Sequence, residues 1–346
     1  MFEPIFSITP TIMKFLMKIE RLKEEINSTS ISVTPLAYLQ ATSLTNSLHS
    51  SANIESNCLT LEEVQRIMSG GTVFGKEGDQ QKVLGYAGAL DEINRLAKQL
   101  TITACDVQRL HALVTGGGKR QVCPTSYRIT QHIIKNSTRY LPPEAEDVPF
   151  LTADLIDWVN RAPYHDIPAP LVAAIAQYQL TVIRPFGDGN ERAARLLAML
   201  ILSQAGYDLR GLSCLEAYYA YDRSAYYNAL LNHSNASVTT WIDYFCRALC
   251  ASFEDVQRVI TEDFEPAKQD QGHRSFLDAR KRALLDLFLQ HHIITTKEVG
   301  ALFAVKPRTA RHICQQWVDD NFLMIVDQSK KSRTYALAEQ VKDVTV

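Results

Sequence analysis

The sequence predicts a mainly α chain in two parts: a helical bundle carrying one small β-hairpin, then a smaller helix-turn-helix domain with a two-stranded wing. Three observations carry this. Apolar residues recur at helical spacing through most of the first 260 or so positions. A polar stretch broken by Pro266 and Gly272 then interrupts the pattern and reads as a linker. Beyond it lie two short helical segments followed by two short extended ones.

In order along the chain, Ile12, Phe15, Leu16, Ile19, Leu22 and Ile26 share one helical face, so the N-terminal segment is helical. Thr34 is an N-cap candidate and Pro35 suits the first turn that follows. Further helical patterns cover Leu61–Met68, Val83–Gln99, Cys105–Val114, Leu151–Val159, Ala169–Ile183, Arg223–Leu231 and Thr239–Ile260. Past the linker, Phe276–Leu289 is an amphipathic helix, Thr295–Glu298 offers a capping box for a helix reaching Phe303, and Pro307 opens a helix to about Asp319. Leu323–Val326, a polar Gln328–Ser332 turn and Arg333–Leu337 supply the wing. The working division is 1–60 for the N-terminal helices, 61–265 for the core and 272–340 for the winged domain.

Composition sets the class. With 346 residues, 46% hydrophobic and 21% charged, the chain has the profile of a soluble globular protein large enough for more than one core. The absence of a leader pattern and of a membrane-length apolar run gives the expectation of a cytoplasmic protein with no membrane partner. The seven cysteines include no Cys-x-x-Cys pair and the nine histidines form no ligand cluster, so reduced thiols and no structural metal are expected. The net charge of −2 is uneven: residues 272–346 carry 12 Lys and Arg against 8 Asp and Glu, while the rest carries 24 against 30.

The most informative stretch is 184–195, Arg-Pro-Phe-Gly-Asp-Gly-Asn-Glu-Arg-Ala-Ala-Arg. Gly189 and Asn190 can turn the backbone so that successive amides converge at the start of a helix from Arg192 to Gly206, whose positive dipole end faces the same point. An anion fits there. Arg192 and Arg195, three apart, project from one face and can fork onto phosphate oxygens, and Asp188 is a hard oxygen ligand suited to Mg²⁺. Leu196, Leu197, Leu200 and Ile201 bury the opposite face, and Gly206 ends the helix.

This stretch resembles the signature of the Fic family, His-Pro-Phe-x-Asp/Glu-Gly-Asn-Gly-Arg-x-x-Arg between two helices. Pro185, Phe186, Asp188, Gly189, Asn190, Arg192 and Arg195 match at the right spacing, while Arg184 stands for His and Glu191 for Gly. The resemblance implies a helical bundle that binds ATP with Mg²⁺ at Asp188, phosphates on the Gly189–Glu191 backbone and on Arg192 and Arg195, and transfer of AMP to a hydroxyl of a target protein. Ser51-Ala52-Asn53-Ile54-Glu55-Ser56 resembles the family's inhibitory Ser/Thr-x-x-x-Glu-Gly/Asn motif, with Ser56 a departure; the resemblance implies that Glu55 pairs with Arg195 and takes the γ-phosphate's place. Ile129, Thr130, Gln131, His132, Ile133 and Ile134, with the strand leading to Pro142-Pro143, look like the family's target-binding flap, which works by strand pairing.

The two departures leave the chemistry open. A guanidinium has no acceptor and stays protonated, so Arg184 cannot serve as the general base; losing one typically costs about 10²–10⁴ in rate. Arg184 is free to grip a phosphate, pair with Asp188, or bridge to Glu191. Glu191 either repels phosphate or acts as a substitute base; in relatives that depart at this position the nucleotide can bind reversed and be used for phosphorylation.

The C-terminal part resembles the winged helix-turn-helix often appended to Fic proteins. Lys306, Arg308, Thr309, Arg311 and His312 would line the recognition helix and Lys330, Lys331 and Arg333 the wing, which suits DNA. Protein docking or homodimerisation through the same module is the alternative. The readings carried forward are a Fic-type nucleotide-binding protein with weak, altered or lost transfer activity, a non-catalytic DNA-binding regulator whose core senses or docks, and a helical scaffold that binds neither.

Overall fold

The computed structural model describes residues 1–29, 31, 33–55, 59–116, 123–131, 141–230, 237–264, 284, 287–288, 293–303, 305–319, 322–327 and 333–338. It divides into two compact units, one of residues 1–31 and 36–264 and the other of residues 32–35 and 265–346. Residues 1–31 and 36–60, set apart in the sequence-based division, therefore share a unit with the core that follows. The linker at 266–272 lies outside the described residues.

In the first unit every described element is helical. Helix α1 (Pro10–Ser28) starts where the Thr9 hydroxyl accepts the Ile12 amide, and it buries Ile12, Ile19, Leu22 and Ile26. That stripe lies against α11 (Thr239–Phe264), the longest helix among the described residues. Helix α2 (Val33–Ile54) begins one residue before the expected N-cap, so Thr34 falls inside its first turn. Two cavities, of about 540 and 390 Å³, border α2 and share Ser43 in their walls.

Helices α3 (Leu61–Met68) and α5 (Ala104–Thr115) both open on capping boxes, Thr60 with Glu63 and Thr103 with Asp106. Between them α4 (Glu77–Leu96) meets α5 so closely that a Cβ on Gly85 would lie 2.7 Å from the Leu113 carbonyl oxygen. Only a glycine permits that approach. Helix α6 (Val148–Arg161) packs on α7 (Ala169–Ile183), and α7 lies along α8 (Asn190–Gln204). The last two are buried nearly all round, which makes the turn joining them a stiff mount. Two short helices, α9 (Leu215–Tyr221) and α10 (Arg223–Leu230), complete the unit before α11.

In the second unit β1 (Ile294–Thr295), α12 (Thr296–Leu302), α13 (Pro307–Asp319), β2 (Leu323–Asp327) and β3 (Thr334–Leu337) surround a core that includes Val299, Ile313, Trp317 and Tyr335. Thr295 caps α12 with the expected box to Glu298. The sheet has three antiparallel strands in the order β1-β3-β2, with Ile294 opposite Tyr335 and Leu323 opposite Leu337. Strand β1 is an addition to the expected pair: two residues are too few to show a period in sequence. Of the helix expected over 276–289 only Leu284, Leu287 and Phe288 are described, and they are helical.

Candidate functional site

The turn between α7 and α8 is built by its own side chains. Arg184 ends α7 in the left-handed conformation, φ 48° and ψ 64°, with its amide donating to the Leu180 carbonyl. Gly189, at φ 61°, precedes α8. Between them the buried Asn190 side chain accepts the Phe186 amide at 2.8 Å and donates to the Phe186 carbonyl at 2.9 Å, closing the loop. Phe186 is fully buried and stacks on His111 of α5, ring centroids 3.8 Å apart.

His111 also sets the turn's outer edge. Its Nε2 lies 2.9 Å from the Asp188 carbonyl, which can only accept, so Nε2 carries the proton. Burial holds the imidazole pKa below its ordinary value, and the Asp188 contacts only partly oppose this. The Asp188 carboxylate itself stands 81% exposed, 3.9 Å from His111. A hard oxygen ligand is therefore available at the mouth. Among the described residues no cluster of three or more His, Cys, Asp or Glu could hold a metal, so an ion at Asp188 would need oxygens from a bound phosphate, which is how Mg²⁺ is usually held.

The two motif arginines point inward to α2. Arg192 donates through Nη1 to the Val114 carbonyl at 3.0 Å and places Nε 3.1 Å from Glu55. Arg195, 1% exposed, donates to the Ser51 hydroxyl at 3.1 Å and to Glu55 at 3.3 Å. One carboxylate thus serves both guanidiniums. The gap lined by Ser51, Glu55, Tyr86 and Arg192 is about 10 Å³, room for one water at most. The pairing of Glu55 with Arg195 matches the expectation from the motif; its second partner, Arg192, was not anticipated.

Beneath this contact lies a buried polar layer. Glu216 of α9 is 1% exposed and accepts the Tyr86 hydroxyl at 2.5 Å; burial raises its pKa, opposed by Tyr86 and by the Arg195 charge. Burial also works against the Arg195 charge, but Tyr226, Tyr86, Glu55 and Glu191 outweigh it and lift the guanidinium pKa well above its ordinary value. Neither Glu216 nor Tyr86 has a sequence signal: each is polar on an otherwise apolar helix face, and only the fold brings them to Arg195.

The departures from the signature take different places. Arg184 forms no ion pair with Glu191 or Asp188 within 4.0 Å, so the bridges entertained from the sequence are absent. The reason is direction: Glu191, in the first turn of α8, turns to α10, where its carboxylate accepts the Tyr227 hydroxyl at 3.0 Å. Arg184 is instead gripped by its backbone. Arg128 donates from Nε to the Arg184 carbonyl at 2.8 Å and from its amide to the Pro185 carbonyl at 2.9 Å.

The same Arg128 reaches both feet of the expected flap, donating to the Thr130 carbonyl at 3.1 Å and to the Pro143 carbonyl, while Gln131 donates to the Pro142 carbonyl at 2.8 Å. Ile129 is 91% exposed. His132, Ile133 and Ile134 lie outside the described residues, as do Ser56, Lys330 and Lys331. In the second unit Lys306, Arg308, Thr309, Arg311 and His312 are exposed at the start of α13, and Arg333 is half-buried beside β3.

Comparison with known proteins places this geometry. Residues 101–202 match the sequence model of the Fic/DOC family. Protein adenylyltransferase fic-1 of Caenorhabditis elegans is 30% identical over 243 residues, 66% of this chain and 47% of that protein. Protein adenylyltransferase Fic of Drosophila grimshawi is 32% identical over 169 residues, 46% of this chain and 33% of that protein. The matched region thus spans half or less of these relatives. Among solved structures, a Fic family protein from Desulfovibrio desulfuricans G20 superposes with a TM-score of 0.68 at 21% identity, covering 98% of this chain and 99% of the other. Fic-1 of C. elegans superposes with a TM-score of 0.61 at 26% identity, covering 72% of this chain and 73% of the other. Residues 101–202, which hold the turn and most of the two helices that mount it, therefore form a Fic/DOC family domain.

Proposed function

We propose that the α7–α8 turn binds the phosphates of ATP with Mg²⁺ at Asp188, and that the chain is a protein adenylyltransferase-like protein whose transfer to a target-protein hydroxyl is weak, altered or lost. The observation that carries this is the pair of inward arginines, Arg192 and Arg195, converging on one carboxylate at the start of α8. Two guanidiniums and a helix N-terminus aimed at one point suit a polyphosphate better than a lone carboxylate. Glu55 now holds that point, so binding requires α2 to withdraw it. Arg184 cannot accept a proton, and Glu191 as a substitute base would first have to leave Tyr227.

Mg²⁺, when bound, would neutralise phosphate charge; the chain's own work is positioning. Asn190 and His111 hold the turn open to solvent at Gly187 and Asp188, and Arg128 ties the turn to the residues that lead into the flap. A target strand pairing there would meet the site at residue 184. The test is incubation with Mg²⁺ and ATP labelled in turn at the α- and γ-phosphates, using the native protein, Glu55→Gly and Glu55→Gly/Arg184→His. Label from the α position only with Arg184→His is the expected result; γ label would mean phosphorylation, and absence of ATP binding by calorimetry in all three would sink the nucleotide reading.

A second reading is supported by the exposed row Arg308, Thr309, Arg311 and His312 at the start of α13, which suits DNA phosphates in a regulator whose core docks rather than catalyses. Duplex binding that weakens steeply with salt, about one power of salt per phosphate contact, is the expected result. A flat salt response would remove it.

A further inference from the structure

Glu191 replaces a residue that has no side chain in the signature, and the structure shows where the added carboxylate goes. It accepts the Tyr227 hydroxyl at 3.0 Å, and the same hydroxyl oxygen lies 3.4 Å from the carbonyl of Ile54, the last residue of α2. A phenol has one proton, so the closer carboxylate takes the larger share and the Ile54 carbonyl the smaller. Three elements, α2, α8 and α10, meet at this one hydroxyl. Glu55, which pairs with Arg192 and Arg195, is the very next residue after Ile54.

Two carboxylates, Glu55 and Glu191, thus lie near the phosphate site. Glu55 enters from the end of α2, and Glu191 belongs to the first turn of α8 with its carboxylate turned to Tyr227; both contribute to the field that stabilises the Arg195 charge. Along its middle α2 borders the two cavities and donates from Gln40 and Ser43 to the Arg210 and Leu212 carbonyls, and at its C-terminal end it meets the Tyr227 hydroxyl. We propose that Glu191, caught by Tyr227, is a second carboxylate lock on the phosphate site: withdrawing Glu55 alone leaves a negative charge beside the cradle and a tether at the end of α2. The proposal rests on the phosphate-binding reading above and assigns the residue that limits it.

The experiment measures binding of inorganic triphosphate, and separately of ATP with Mg²⁺, by calorimetry to the full chain as Glu55→Gly, Glu55→Gly/Glu191→Gln and Glu55→Gly/Tyr227→Phe. Glu191→Gln keeps the side chain's length and its contact to Tyr227 while removing the charge, so the helix start is preserved; thermal melts confirm that each variant is folded. The double variant with Glu191→Gln is expected to bind triphosphate about tenfold more tightly than Glu55→Gly at low salt, with the gap narrowing as salt screens the charge. Adding Tyr227→Phe to Glu55→Gly is expected to speed amide exchange at Ala52 to Ile54 by at least about threefold over Glu55→Gly alone. Equal affinity of Glu55→Gly and its Glu191→Gln derivative overturns the charge lock, and unchanged exchange overturns the tether. If no protein binds either probe, the phosphate-binding reading itself fails.

Discussion

Arg184 and Arg195 stand at opposite ends of the same signature and are held in opposite ways. Arg195 is caged by its side chain: Ser51, Glu55, Tyr86, Glu216 and Tyr226 surround the guanidinium, and almost none of it is exposed. Arg184 is held by its amide and carbonyl, through Leu180 and Arg128, while its side chain has no ion-pair partner within 4.0 Å among the described residues. The first arginine is part of the core's charge balance. The second is a side chain mounted on a backbone that does not depend on it.

The comparison predicts unequal costs. Arg195→Met leaves Glu55 to Arg192 alone and Glu216 without its nearby positive charge; removing one partner of a buried pair costs about 3–5 kcal/mol, or roughly 10 °C in Tm for a unit of this size. Arg184→Met should change stability by no more than about 0.5 kcal/mol. Similar melting points for the two variants would break the distinction. Asn190→Ala comes next: it strips both Phe186 backbone groups of their buried partner, an expected loss of about 2–3 kcal/mol in denaturant unfolding. A loss confined to ligand binding would mean that the turn is held by other contacts.

The smallest effect is a pH dependence. Burial lowers the His111 pKa below 6.5, so as pH falls through 6.5 the unfolded chain takes up a proton that the folded chain refuses. Stability contributed by His111 is therefore full above pH 6.5 and declines below it, toward the lower folded-state pKa. Subtracting the Tm curve of His111→Phe, which keeps the ring stack, from that of the native protein should expose this decline. A difference that does not vary with pH would mean the imidazole is not shielded.

Much of this was legible in the sequence, for local reasons. The ends of α3, α7 and α13 fall at Leu61–Met68, Ala169–Ile183 and Pro307–Asp319 as read from apolar spacing, Pro positions and capping chemistry. Helix α4 began six residues earlier than expected, because Glu77–Lys82 is polar and carries no period. Glu55 was found because its motif is short and contiguous. His111, Arg128, Tyr227 and Glu216 were not, because each acts across 36 to 130 residues of chain and nothing in its neighbours marks it. The bridge from Arg184 to Glu191 failed for a related reason: nearness in sequence says little about direction when a left-handed residue and a helix start intervene.

The grip of Arg128 on the Arg184 carbonyl has a consequence for what can change at that position. Since the turn's path is fixed by main-chain atoms, by the Asn190 clamp and by the His111 stack, the identity of side chain 184 is independent of the turn's shape. Reactivity and architecture are separate variables here. A histidine placed at 184 would inherit a finished mount and bring to it a side chain that can accept a proton.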